Sequence, residues 1–238
     1  MKHQCIHHHL KFLKYSETLN EYDEYFDKLV SSIIDTVYID NKLYIDEFKK
    51  LDNLVKMVND NDYDIFVIDG DLIDEFSKDK KIEEVITALG SIKTKYGLYY
   101  VEGNHDLLNN KYRSYLVSNN FIVLEDNKVL IDDNYYLVGR RDKKDKLRSD
   151  LNSLTYNLDK PVILLDHQPN IEKNMDPRVI IQLSGHTHAG QIWPLGYFLK
   201  YGYYQDKRLI VSSGFGVWHN KVRTSKYSEI VEINIHKE

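Results

Sequence analysis

Apolar residues recur along this chain with two different periods, and the changes between them predict its elements. Leu19, Tyr22, Phe26, Leu29, Ile33 and Val37 fall at helical spacing behind a Thr18/Glu21 capping pattern. The stretch 30–39 is also β-branched enough to be a strand, and its periodicity leaves both readings open. Phe48, Leu51, Val55 and Val58 mark an amphipathic helix over 46–59. Short continuous apolar runs at 65–68, 98–101, 161–165 and 179–181 read as strands buried on both faces. Between them the pattern predicts a helix over 80–95, a short helix over 111–118 and apolar segments at 121–124, 128–131 and 135–139. The alternation in Tyr135-Tyr136-Leu137-Val138-Gly139 points to a second sheet, and 208–214 and 229–235 read as late strands. No linker, repeat or low-complexity tract interrupts the series. The expected organisation is an atypical segment over 1–40 followed by one domain over 41–238.

Composition narrows the class. At 238 residues, 42% hydrophobic and 29% charged, the chain has the length and balance of a soluble α/β domain with a sizeable core. A net charge of −5 offers no electrostatic footprint for nucleic acid or an anionic membrane. Cys5 is the single cysteine, which excludes an intrachain disulfide and a thiolate metal cluster. No apolar run approaches the roughly 20 residues of a membrane span, and no charged-then-apolar leader opens the sequence. A cytoplasmic location is the expectation, with peripheral membrane contact left open. His7-His8-His9 near the start reads as a solvated cluster.

Chemistry collects where the apolar runs stop. The run at 65–68 ends in Asp69-Gly70-Asp71, and that at 98–101 in Glu102-Gly103-Asn104-His105-Asp106. The run at 161–165 ends in Asp166-His167, and 179–181 leads into Ser184-Gly185-His186-Thr187-His188. Taken singly, Asp-Gly and Gly-Asn are ordinary turn chemistry, and an isolated His-x-His fits two solvated loop histidines. Taken together they set carboxylate, amide oxygen and imidazole at the carboxyl ends of buried strands, where open α/β sheets keep their ligands. That mixed donor set suits Mn, Fe or Zn better than Mg or Ca alone. No strand leads into a Gly-x-Gly-x-x-Gly or P-loop sequence, so a plain nucleotide-binding protein is excluded.

Four such strand ends in this order resemble the calcineurin-like metallophosphoesterase superfamily. The stretch 185–194 resembles the Gly-His-Thr-His-x-Gly-Gln-x-Trp-Pro of its bacterial phosphodiesterase branch. The resemblance covers 43–235 and implies an αββα sandwich of two mixed sheets flanked by helices. It implies that Asp71 bridges two metal ions, that Asn104, His167 and His186 complete one site, and that His188 serves the other. His105 would steady charge on the phosphoryl oxygens or protonate the leaving alkoxide, with Asp106 orienting it. The implied activity is hydrolysis of a small phosphoester, in this branch a phosphodiester, by a metal-activated water. Arg223, after a Ser-Ser-Gly strand end, and the Arg140–Arg141 pair are candidates for gripping the substrate phosphate.

In one respect the chain departs from the family. The family opens on a strand ending in Asp-x-His, and none exists here upstream of Asp71. The nearest sequence is Ile33-Ile34-Asp35-Thr36-Val37, where valine stands in the histidine's place; His7 or His9 is a remoter substitute. One metal site therefore reads as complete and the second as incomplete. Two expectations result: a metal-dependent phosphodiesterase weakened by loss of the first motif, or a catalytically degenerate protein that keeps the fold for binding.

Overall fold

A computed structural model describes residues 8–14, 28–31, 44–72, 79–106, 108–171, 175–188, 201–216 and 229–235. One sheet runs in the order β1 (His8–Lys14), β12 (Glu229–Ile235), β2 (Lys28–Ser31), β3 (Tyr63–Asp69), β4 (Leu98–Val101), β5 (Phe121–Val123). From β2 to β5 its strands are parallel, and β12 is antiparallel to both neighbours. The other sheet runs β10 (Gly202–Tyr204), β11 (Leu209–Val211), β9 (Val179–Ser184), β8 (Val162–Leu165), β7 (Tyr135–Gly139), β6 (Asn127–Ile131). There β11, β9, β8 and β7 are parallel, with antiparallel strands at both edges.

Strand alternation explains the layers. In β3, Phe66 and Ile68 pack with Leu51, Leu54 and Val58 of α1 (Tyr44–Asn59) and with Val85, Ile86 and Leu89 of α2 (Asp79–Leu89). Ile65 and Val67 point the opposite way, into a core shared with Ile163, Leu165, Ile181 and Leu183 of the other sheet. Beyond that sheet, Val162, Leu164 and Val179 pack with Leu151 and Leu154 of α4 (Leu151–Thr155). The order helix, sheet, sheet, helix is the expected αββα sandwich, and burial on both faces is why the strands read as unbroken apolar runs. Burying each such side chain contributes roughly 1.5–3 kcal/mol, against about 1 kcal/mol for a typical hydrogen bond. The sandwich core, not the polar contacts at the strand ends, therefore fixes where those ends lie.

The structure corrects the sequence reading at one element and decides an open one at another. The helix expected over 80–95 ends at Leu89, because Gly90 closes against Asn119 of the turn after α3 (Asn110–Ser118): a Cβ at Gly90 would lie 2.3 Å from the Asn119 carbonyl oxygen. The residues after it pair with the start of β3, Lys95 N–H to Tyr63 O and Tyr96 N–H to Asp64 O. Within the helical pattern of 19–37, residues 28–31 form β2 instead; the rest of that stretch, with Asp35 and Val37, lies outside the described residues. His8 and His9 belong to β1, paired with Ile235 and Asn234. Among the described residues no helix is long and apolar enough to cross a membrane.

Candidate metal centre

The parallel pairs β3/β4 and β8/β9 sit in different sheets, and their carboxyl ends meet at one point. One bridge between the sheets is His167 Nδ1, which lies 2.7 Å from the Asp69 carbonyl, 98 residues away. Gly185 N–H bonds the His167 carbonyl and Asp166 N–H bonds that of Leu183, so the β8 and β9 ends are tied to each other.

Glycine is required at two positions because the loops touch. A Cβ on Gly103 would lie 2.2 Å from Asp71 Oδ1 and 2.3 Å from Asp71 N. Gly70 adopts φ +88°, and a Cβ there would lie 2.3 Å from His167 Nδ1. Asp106 holds the same approach from the other side: its Oδ2 accepts both the Asp71 and Gly103 backbone N–H groups at 2.7 Å. The sequence suggested Asp106 as an orienter of His105; what it visibly orders is the backbone of two site loops. Gly103→Ala should push Asp71 out of place and weaken metal binding by about 10–100-fold, the scale of losing an outer partner of a ligand. Calorimetric titration with Mn checks this, and unchanged affinity would show that the loops have slack.

Three of the expected ligands converge. Ligand atoms of Asp71, His167 and His186 lie within 4.8 Å of one another, the first two residues buried and the third half-buried. Asn104 Oδ1 stands between the rings, 3.1 Å from His167 Nε2 and 2.5 Å from His186 Nδ1. The two imidazoles meet edge to face, 5.3 Å between centroids. His188 is half-buried two residues on and outside the converging set, while His105 joins it through its backbone N–H, which donates to Asp71 Oδ1 at 2.8 Å. Asp71, His186 and His188 all have left-handed backbones, at φ 53°, 70° and 46°. Such conformations are uncommon outside glycine, though turn residues away from the site such as Asn120 and Asn157 adopt them too.

The donor chemistry fits a cation. The His167 Nδ1 hydrogen points to the Asp69 carbonyl, which leaves Nε2 of a neutral ring as a bare lone pair. That lone pair faces Asp71 Oδ2 at 3.1 Å, and Oδ2 is buried with no hydrogen-bond donor directed at it. Two electron-rich atoms face each other across a gap whose third side is the Asn104 oxygen, an arrangement that a shared divalent ion turns from repulsive to attractive. Burial pushes the Asp71 carboxyl up, but when the metal-free His167 ring is protonated its charge and its hydrogen bond, with the His105 N–H, pull the carboxyl down further, to about 2. Asp71 therefore carries full charge at neutral pH. A carboxyl depressed below its ordinary 3.8 gives stability that is present above that pH and lost as pH falls toward 2.

Around this cluster lies a second layer that the sequence did not reveal. Asp166, buried beside His167, is gripped by Arg140 Nη1 at 3.3 Å and by Arg148 Nη2 at 2.5 Å and Nη1 at 3.1 Å. Arg141 pairs with Asp145 at 2.9 Å and Asp126 at 3.6 Å. The Arg140–Arg141 pair is thus corrected from phosphate grip to internal scaffold, since carboxylates of the chain itself occupy both guanidinium groups. Gln168 donates to Asp142 Oδ2 at 2.8 Å, tying the loop after β7 to the residue after His167. Arg223 lies outside the described residues.

Comparison with known proteins agrees with this geometry. A family model described as calcineurin-like phosphoesterase matches residues 6–190. A metallophosphoesterase of Helicobacter pylori is 31% identical over 204 residues, which is 78% of this chain and 54% of that protein. One from Campylobacter jejuni is 34% identical over 208 residues, again 78% and 54%. A bovine (Bos taurus) transmembrane protein with a metallophosphoesterase domain is 32% identical over 216 residues, 77% of this chain and 48% of its own length. The chain thus spans about half the length of these relatives. A solved crystal structure superposes with a TM-score of 0.50 over 90% of this chain and 99% of its own, at 10% identity, a likeness of fold alone.

Proposed function

The chain belongs to the calcineurin-like phosphoesterase family, and from that premise we propose that it hydrolyses phosphodiesters at a divalent transition-metal centre held by Asp71, Asn104, His167 and His186. The observation that carries the reading is the His167 Nε2 lone pair set 3.1 Å from both the Asp71 and Asn104 oxygens. An ion held there would supply Lewis-acid chemistry for activating a water and offsetting phosphoryl charge. The residues do the rest: Asp71 contributes the balancing charge, and the Asp69 carbonyl holds His167 in its ligating tautomer. His105, carried on the same loop as Asn104, would hand a proton to the leaving oxygen. Mn, Fe and Zn suit the donors, and the substrate is a small phosphoester in the cytoplasm.

In this reading His188, with Asp71, would help hold a second ion. The Asp-x-His that should complete that second site is absent. Strand β2 precedes β3, lies parallel beside it and leads toward Ile33-Ile34-Asp35-Thr36-Val37, which supports that stretch as the altered opening motif. Loss of ligands from the second site makes the enzyme slow. Hydrolysis of bis(4-nitrophenyl) phosphate should therefore be weak and rise with Mn through the millimolar range, and Val37→His should steepen the response at low Mn. Full turnover at trace metal would show that another residue supplies the lost ligands. Metal binding without turnover at any Mn concentration would favour the degenerate, binding-only reading, which the missing motif also supports.

Acid should release the ion through the rings. Burial, then the neighbouring His167, pulls His186 below the ordinary imidazole value of 6.5, so its neutral, ligating form persists as pH falls past that value. Asp71 stays ionised to about 2. Mn paramagnetic resonance against pH should show release between these limits; release complete at pH 7, or retention at pH 2, would contradict the assignment.

A further inference from the structure

The loop between β7 and α4 is built around the metal centre, and its cations are used unequally. Arg140 and Arg148 are committed to Asp166, and Arg141 to Asp145 and Asp126. Lys144 differs from them. Its backbone N–H bonds Asp142 Oδ1 at 2.9 Å, and Asp142 in turn holds Gln168, the neighbour of His167. The start of the Lys144 side chain is thus anchored to the site. Its ammonium lies 3.5 Å from the backbone carbonyl of Asn104, the outer limit of a hydrogen bond. Among the described residues no carboxylate pairs with it, and the side chain is exposed. Asn104 turns its side-chain oxygen toward the histidines and its carbonyl toward Lys144, so the ammonium sits one residue's width from the metal-binding atoms.

We propose that Lys144 forms an anion subsite beside the metal centre that takes a second phosphate of the substrate, one not cleaved. This rests on the phosphoesterase reading and adds a substrate class to it: phosphoesters carrying a further phosphate group. A cation weakly held at the rim of the metal centre, in a chain of net charge −5, offers a local attraction for a polyanion beside the site. Lysine suits the role because its ammonium is a mobile point charge that can follow a phosphate on a flexible tether.

The test compares butyl phosphate with butane-1,4-diol bisphosphate by calorimetric titration, in Mn-loaded and metal-free protein, with Mn content measured on the same samples. Wild type should bind the bisphosphate more tightly, and Lys144→Ala should lose that preference by about tenfold, the scale of one hydrogen bond to a charged group. Butyl phosphate affinity and Mn content should not change, and Lys144→Arg should keep the preference. The proposal is overturned if wild type shows no preference or binds neither compound. It is equally overturned if Lys144→Ala leaves the preference intact, or if Lys146→Ala reduces it as much, which would assign the effect to overall loop charge. A chain that takes up no Mn contradicts the phosphoesterase reading instead, and the bisphosphate preference is still measured in the metal-free samples.

Discussion

Asp71→Ala is expected to abolish tight metal binding, a loss of more than about 100-fold in affinity. Losing an outer partner of a ligand already costs about 10–100-fold, and Asp71 is the one anionic donor in the converging set. Without its charge, the ion would meet only neutral imidazoles and an amide oxygen. Alanine also strips the His105 N–H of its acceptor at 2.8 Å, so the Asn104 loop loosens at the same time. Asp71→Asn separates these effects, since an amide oxygen can keep the His105 bond while removing the charge. Both variants should stay folded in metal-free buffer because the αββα core holds the strand ends, with a melting temperature lowered by the stability that the ionised Asp71 contributes. Mn titration reads the affinity; wild-type affinity in Asp71→Ala would place the metal elsewhere.

Asp166→Ala is expected to be the most destabilising change in the second layer, by about 3–5 kcal/mol. Asp166 is buried, and so is Arg140, at 4% exposure, with Arg148 close behind at 12%. Burial pushes the Asp166 carboxyl up even though both guanidinium groups pull it down, so keeping that charge inside is costly in itself. The triad is therefore no large net source of stability, but removing its anion strands two cations in the interior, and that is where the penalty arises. For a chain of this size, each 1 kcal/mol moves the melting temperature by about 2–4 °C, so thermal unfolding should fall by roughly 10 °C. A shift under about 2 °C would mean that water reaches the guanidinium groups once Asp166 is gone. Asp166→Leu with Arg140→Met and Arg148→Met should recover much of the loss, since an apolar trio of similar volume carries no stranded charge.

Much of the fold was written in local pattern. Ile65-Phe66-Val67-Ile68 reads as a doubly buried strand because each side chain meets a core on its own face. The polar residues that follow each run read as site residues because a buried strand has no other reason to end in Asp, Asn and His. Four such ends in series mark Asp71, Asn104, His167 and His186. What could not be read depends on partners distant in sequence. Arg140 reads as a candidate phosphate grip because nothing local shows that Asp166, 26 residues on, waits in the interior. The stop of α2 at Leu89 depends on the turn at Asn119, which no helical periodicity records. At 28–31, helical spacing lost to sheet pairing: β2 lies between β12 and β3, two strands that meet it from distant parts of the chain.

The central claim is that Asp71, Asn104, His167 and His186 form one metal centre, and metal content per chain tests it most directly. Protein purified without chelator, and the same protein dialysed against Mn or Zn and then desalted, should each carry at least one tightly held transition metal per chain by elemental analysis. His167→Ala, which removes the lone pair between the two oxygens, should carry far less under identical treatment. A wild-type chain that is metal-free as purified and takes up neither Mn nor Zn would contradict the account.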